Sequence, residues 1–183
     1  MKKLVAFILV ICLACALFGC AATMTPVENF LVATEKMDFS AMKAELVPDE
    51  RVGSFYLKLK NMNPLTEGSV EALKSLYGYM EYTMGETSPA EDGAKTVSVK
   101  IKIPDVERIL TLAKAQLLVS GESAESIIMA MIDDGSVKNT LKEATFTVKM
   151  TETDGVWKIP YGDKENADFV KALSLAEMID FMD

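Results

Sequence analysis

The sequence predicts an α+β domain in which N-terminal helices pack on a curved antiparallel sheet built from two hairpins. A helical pair stands between the hairpins, and a C-terminal helix follows them. Three observations carry this expectation. Val97, Val99, Ile101 and Ile103 alternate with Ser98, Lys100 and Lys102, the pattern of a strand with one buried face. Phe146, Val148 and Met150 alternate again, then Asp154-Gly155 turns the chain back through Trp157 and Ile159. Between and around these strands, apolar residues recur at helical spacing.

The first twenty residues set the expected address. Lys2 and Lys3 precede an apolar run from Leu4 to Phe18. A bilayer-spanning helix needs about twenty apolar residues, so this shorter run reads as a cleaved signal peptide over residues 1–19. Leu17-Phe18-Gly19-Cys20 resembles the bacterial lipobox, which implies that Cys20 is the lipidation site: it is diacylated and becomes the first mature residue. Residues 20–24 then form a short tether, and residues 25–183 a single domain. The expected location is a cell membrane or outer membrane, lipid-anchored and facing away from the cytoplasm. Ala21 stands where an Asp is associated with inner-membrane retention in two-membrane bacteria.

Composition narrows the chemistry. All three cysteines lie at or before Cys20, so the mature domain has no disulfide to draw on and must be held by packing. The chain has no histidine, which removes His-based nucleophilic sites and His- or Cys-ligated metals. No metal and no cofactor is expected. Without Lys2 and Lys3, 17 basic residues face 27 acidic ones, a net charge of −10. So acidic a surface repels phosphate backbones, and nucleic acid is not an expected partner. Membrane attachment would rest on the acyl chains of Cys20, two of which suffice for stable anchoring.

Along the domain, Thr25-Pro26-Val27-Glu28 has a capping-box pattern and opens a helix bearing Val27, Phe30, Leu31 and Ala33. Asp38 or Ser40 caps a short second helix with Met42 and Leu46. Residues 51–63 fit either a helix (Val52, Phe55, Leu59, Met62) or a strand (Phe55, Leu57, Leu59), with the helix preferred. Asn63-Pro64 breaks this segment, and Ser69 begins a helix through Leu76. Tyr77 to Glu86 reads as a strand ending in the polar turn 87–93, which places Tyr79 and Glu81 on one face. Pro104 ends the strand 96–103. Asp105 opens a helix to Leu118 that Gly121 closes; Ser123 opens another, closed by Asp134-Gly135, and a helical stretch through Leu141 follows. Glu165 to Met182 reads as one amphipathic helix with Phe169, Leu173, Met178 and Phe181 inward.

Pro26-Val27-Glu28-x-Phe30-Leu31-x-Ala33, Asp38-Phe39 and Gly155-x-Trp157-x-Ile159 resemble small bacterial lipoproteins of uncharacterised function. Their domains look like the nuclear-transport-factor-two-like, or cystatin-like, fold. The similarity spans most of residues 25–160. It implies helices packed into the concave face of a curved sheet, forming a cone. The helical pair between the hairpins and the helix after Ile159 lie outside that pattern. Relatives of this fold include ketosteroid isomerase, which works with an Asp base and a Tyr or protonated Asp donor, as well as non-catalytic binding modules; fold alone does not choose between them.

Candidate pocket-lining residues are Trp157, Tyr79 and Tyr56, each weighed against a plain packing role. The other tyrosines (Tyr77, Tyr82 and Tyr161) and Glu81 supply what carboxylate and phenol chemistry would need, but no motif positions them. The eleven mature methionines, among them Met80, Met84, Met129, Met131, Met178 and Met182, read as a soft core before they read as a Met-lined groove. Asp133-Asp134-Gly135-Ser136 lacks calcium-loop spacing and reads as a helix end. The expected function is therefore a lipid-anchored binding or interaction domain without catalysis, its partner a small molecule or a protein. The alternatives are an isomerase- or hydrolase-type enzyme in a cone-shaped pocket, and a structural envelope module that forms a homodimer through its sheet.

Overall fold

The computed structural model describes residues 24–48 and 65–183. Over these residues the chain forms seven α-helices and a curled four-stranded antiparallel sheet, a half-barrel. Helix α1 (Pro26–Lys36) starts as the capping pattern requires, with the Thr25 hydroxyl accepting the Glu28 N–H at 3.1 Å. It buries Val27, Phe30, Leu31 and Ala33. Asp38 caps α2 (Phe39–Ala44) by accepting the Ala41 N–H at 2.9 Å. Residues 51–63, and Tyr56 with them, lie outside the described residues.

Helix α3 (Glu67–Tyr77) is capped by Thr66 and buries Ala72, Leu73, Leu76 and Tyr77. The strand expected from Tyr77 therefore begins later, at Glu81. Tyr77 continues the buried stripe of Leu73 and Leu76 at helical spacing, and its hydroxyl donates to the Leu173 carbonyl at 2.7 Å. Tyr79 falls in the link to the strand and shares no strand face with Glu81.

Strands β1 (Glu81–Thr87) and β2 (Ala94–Ile103) form the first hairpin; β3 (Lys142–Thr153) and β4 (Val156–Lys158) form the second. Sheet order is β1-β2-β3-β4, antiparallel throughout. Opposed residues share a face, so Val97 with Val148, Val99 with Phe146, and Ile101 with Ala144 make the inner surface, extended by Tyr82 and Met84 of β1. The outer face is polar, with cross-strand ion pairs Lys100–Glu143 at 2.8 Å and Lys102–Glu81 at 3.0 Å. Asp154 and Gly155 both take positive φ (53° and 77°), the turn geometry that matches strand twist in a two-residue hairpin.

Because β4 has three residues, the β3 edge outruns it. Asn166 continues the edge with its side chain. Its Oδ1 accepts the Lys149 N–H at 2.8 Å, and its Nδ2 donates to the carbonyls of Lys149 and Pro160, both at 3.1 Å. Beyond β4, Ile159 exchanges backbone hydrogen bonds with Glu45 and Val47 at the end of α2 (2.8 and 2.9 Å).

The helical pair between the hairpins is α4 (Val106–Ser120), capped by Asp105 and ended by Gly121 at φ 70°, and α5 (Ala124–Asp133), capped by Ser123. Glu125 of α5 accepts hydrogen bonds from Thr66 (3.1 Å) and Ser69 (3.4 Å), joining α5 to the start of α3. The terminal helix is two helices, α6 (Ala167–Leu173) and α7 (Leu175–Met182), because Ser174 adopts a left-handed conformation at φ 43°. The break lets both bury an apolar face: Phe169 and Leu173 from α6, Leu175, Met178, Ile179 and Met182 from α7.

Candidate functional site

The inside of the half-barrel is filled with rings. Phe30 of α1 meets Tyr161 at 5.8 Å and Phe169 of α6 at 6.5 Å between centroids, and Phe169 and Phe146 form an edge-type pair at 6.0 Å. Such tilted and edge-on pairs stabilise beyond their buried area. Tyr77 and Tyr161 are buried here, and burial first, then neighbouring negative charge, pushes both phenols far above their ordinary range. They are neutral groups at any physiological pH. Among the described residues the buried polar side chains are Thr34, Ser69, Asn166 and Ser174; the carboxylate whose charge acts on both phenols, Glu177, is itself exposed.

A cleft of about 300 Å³ opens where the sheet's inner face runs out beyond the aromatic cluster. Its floor is Ile101 and Ile103 of β2 with Ala144 and Phe146 of β3; α4 brings Glu107, and α6 brings Asp168, Lys171 and Ala172. Lys171 reaches Glu107 across the mouth at 3.7 Å. Both side chains are exposed, and a pair of this kind contributes between zero and about 1 kcal/mol, so the mouth can open at little cost. Also at the rim, Lys142 pairs with Asp105 at 3.0 Å. Burial works against the Asp105 charge. The Lys142 ammonium and the Arg108 N–H outweigh it and hold the carboxyl below its usual range. The cleft thus combines an apolar floor with charges of both signs at the rim, within the size range of small-molecule sites.

A second, more polar hollow of about 400 Å³ lies beside the β1–β2 loop, between Glu91, Asp92, Lys95, Lys149 and Glu165. Lys149 there is held by Asp163 at 3.0 Å and Glu165 at 3.4 Å. The Asp163 hydrogen bond leads the effects that raise the lysine's pKa. The Glu165 N–H, then Lys149 itself, lower that of Asp163.

Neither Trp157 nor Tyr79 lines these clefts. Trp157 sits half-buried on β4 opposite Glu152, with the Lys95 ammonium 4.4 Å from its ring centroid. Tyr79 is half-buried in the link before β1. The methionines named above are core: Met80, Met131, Met178 and Met182 are buried, and Met84 and Met129 pack against them. Asp134 ends α5, accepting the Ser136 N–H at 2.7 Å. Glu107, Asp168 and Lys171, which set the cleft's rim, carry no motif by which sequence alone would mark them. Glu107 precedes Asp168 and Lys171 by more than 60 residues and meets them only through the fold.

No helix among the described residues is long and apolar enough to cross a membrane, and none of their His, Cys, Asp or Glu side chains groups as a metal site. No protein-family model and no curated protein matches the chain. Among solved structures, it is similar to that of YcdA from Bacillus subtilis subsp. subtilis str. 168, provisionally titled a lipoprotein. The two are 17% identical with a TM-score of 0.34; the match covers 63% of this chain and 39% of that one. The chain therefore spans about two fifths of that protein's length in the match.

Proposed function

We propose that this chain is a lipid-anchored, extracytoplasmic binding domain that holds a small amphipathic molecule without transforming it. The observation that carries the binding role is the cleft: an apolar floor of Ile101, Ile103, Ala144 and Phe146 under a rim of Glu107, Asp168, Lys142 and Lys171. A floor of this kind takes an apolar body, and a rim of both signs takes a polar or zwitterionic head. The phenols that would serve a ketosteroid-isomerase-like mechanism are packed into the core, and the acids near the cleft stand at its rim. The anchored address rests on the lipobox-like ending at Cys20. Helices packed under a curled sheet favour a cone-like, cystatin-like relationship.

The test is native mass spectrometry of the mature protein before and after exposure to a cell extract. A retained small-molecule mass that disappears in Ala144→Trp, which fills the cleft, supports the reading. Loss of no mass in that variant, or no retained mass at all, overturns it.

A further inference from the structure

The apolar surface that the cleft offers is short. Ala144 of β3 is exposed and Phe146 half-buried, while Ile101 and Ile103 behind them are buried. Ala144 stands opposite Ile101 on the sheet's inner face. Its single methyl leaves the strand uncovered there, whereas Val148 and Met150 further along are buried. Two residues of a strand span about 7 Å. That length suits one ring or one short branched chain, and it is too short for an acyl tail.

The rim charges are unequally committed. Lys142 is held by Asp105 at 3.0 Å. Lys171 has only its 3.7 Å contact with Glu107, between side chains that are 72% and 66% exposed. Asp168 has no cation within ion-pair distance among the described residues. Asp168 and Lys171 lie three residues apart on α6, so they rise from one helix face with Cβ atoms about 5–6 Å apart. Opposite charges so placed commonly close on each other. Here Lys171 reaches across the mouth to Glu107 instead, and the Asp168 carboxylate is left open to the cleft. An open anion, a loosely held cation one helical turn away and a short apolar floor together match a small zwitterion.

We infer that the cleft's ligand is a free α-amino acid with an apolar side chain, an assignment that rests on the binding role proposed above. The side chain lies on Ala144 and Phe146. The ligand's ammonium donates to Asp168, and its carboxylate accepts from Lys171, which gives up an exposed contact of little strength. Glu107, once released, faces the same ammonium. The two head charges cancel, so an acidic domain does not repel this ligand at long range as it would a fatty carboxylate.

Three probes with one benzyl body and different heads test it: L-phenylalanine, L-phenylalaninamide, which lacks the anion, and N-acetyl-L-phenylalanine, which lacks the cation. Each is titrated calorimetrically at pH 6, where the free amines are protonated, into the mature protein. The Asp168→Asn, Lys171→Gln and Ala144→Trp variants are titrated in the same way, their folding checked by urea unfolding. An exposed ion pair contributes up to about fivefold in affinity, so phenylalanine should bind about fivefold tighter than either blocked form. Asp168→Asn should remove its advantage over the acetyl form, Lys171→Gln its advantage over the amide, and Ala144→Trp all binding. Equal binding of the three probes, or tightest binding of a blocked one, overturns the assignment. Phenylalanine binding that survives Ala144→Trp also overturns it, because the site then lies elsewhere. A mass retained from cell extract that Ala144→Trp removes, with no phenylalanine bound, overturns the amino-acid assignment and leaves the binding role. Neither a retained mass nor bound phenylalanine overturns both.

Discussion

Asn166→Ala should be among the most damaging single substitutions on the sheet's edge. The Asn166 side chain is fully buried and makes three hydrogen bonds, two with the Lys149 backbone and one with the Pro160 carbonyl. Alanine deletes all three and puts no strand in their place, since β4 stops at Lys158. Each such bond contributes about 1 kcal/mol net, and partners left without one cost more, so the expected loss is about 3 kcal/mol. For a domain of this length that corresponds to roughly 6–12 °C in Tm. Urea unfolding followed through Trp157, the single tryptophan, measures it directly, because that residue sits on the neighbouring strand. Asn166→Asp keeps the acceptor for the Lys149 N–H but turns a carboxylate toward two carbonyls, so it should lose at least as much at neutral pH. A loss under about 0.5 kcal/mol for Asn166→Ala would mean that water replaces the carboxamide, and the account of this edge would fail.

Three other outcomes are expected. Cys20→Ser should leave the protein out of the membrane fraction or as an uncleaved precursor, with no acyl mass by mass spectrometry; normal lipid labelling of that variant would remove the anchor. Ala144→Trp should abolish ligand retention while changing stability by less than about 1 kcal/mol, as expected for a position open to solvent, and urea unfolding checks the second half. Asp105 and Asp163 both titrate below the usual carboxylate value of 3.8, so their contribution to stability is complete above that pH and is lost as pH falls through their lowered values. In unfolding free energy measured from pH 6 to pH 2.5, these two groups should add no slope well above 3.8 and a decline below it, and Asp163→Asn should make that decline shallower.

Local rules made much of the fold readable. Thr25, Asp38, Asp105 and Ser123 each cap the helix they precede, because a side-chain oxygen at that position satisfies an otherwise orphan N–H. The alternation through β2 and β3 identified the buried face, since the side-chain period of a strand is two. The errors have physical causes. Tyr77 has strand propensity as an isolated residue, but its hydroxyl finds the Leu173 carbonyl only if the helix runs on to it. Residues 165–182 keep a helical period on both sides of Ser174, so the left-handed break between α6 and α7 leaves no mark in the pattern. The cleft was not legible for a different reason. Its floor comes from β2 and β3 and its rim from α4 and α6, and nothing in the chain announces that Glu107 will face Lys171.

The way the two hairpins join has a kinetic consequence. Strands β1 and β2 meet across a short loop, as do β3 and β4. Strands β2 and β3 pair over ten rungs, from Ile103–Lys142 to Ala94–Thr151, across sequence separations of 39 to 57 residues. The α4–α5 excursion fills that gap. Closing so long an open loop costs chain entropy before any rung compensates it, which is what slows non-local sheets. A helical hairpin formed early shortens the distance the two strands must search. Substitutions that loosen α4 against α5 should therefore slow refolding more than they speed unfolding, giving the helical pair a role in assembling the sheet beside the part that Glu107 of α4 takes in the cleft.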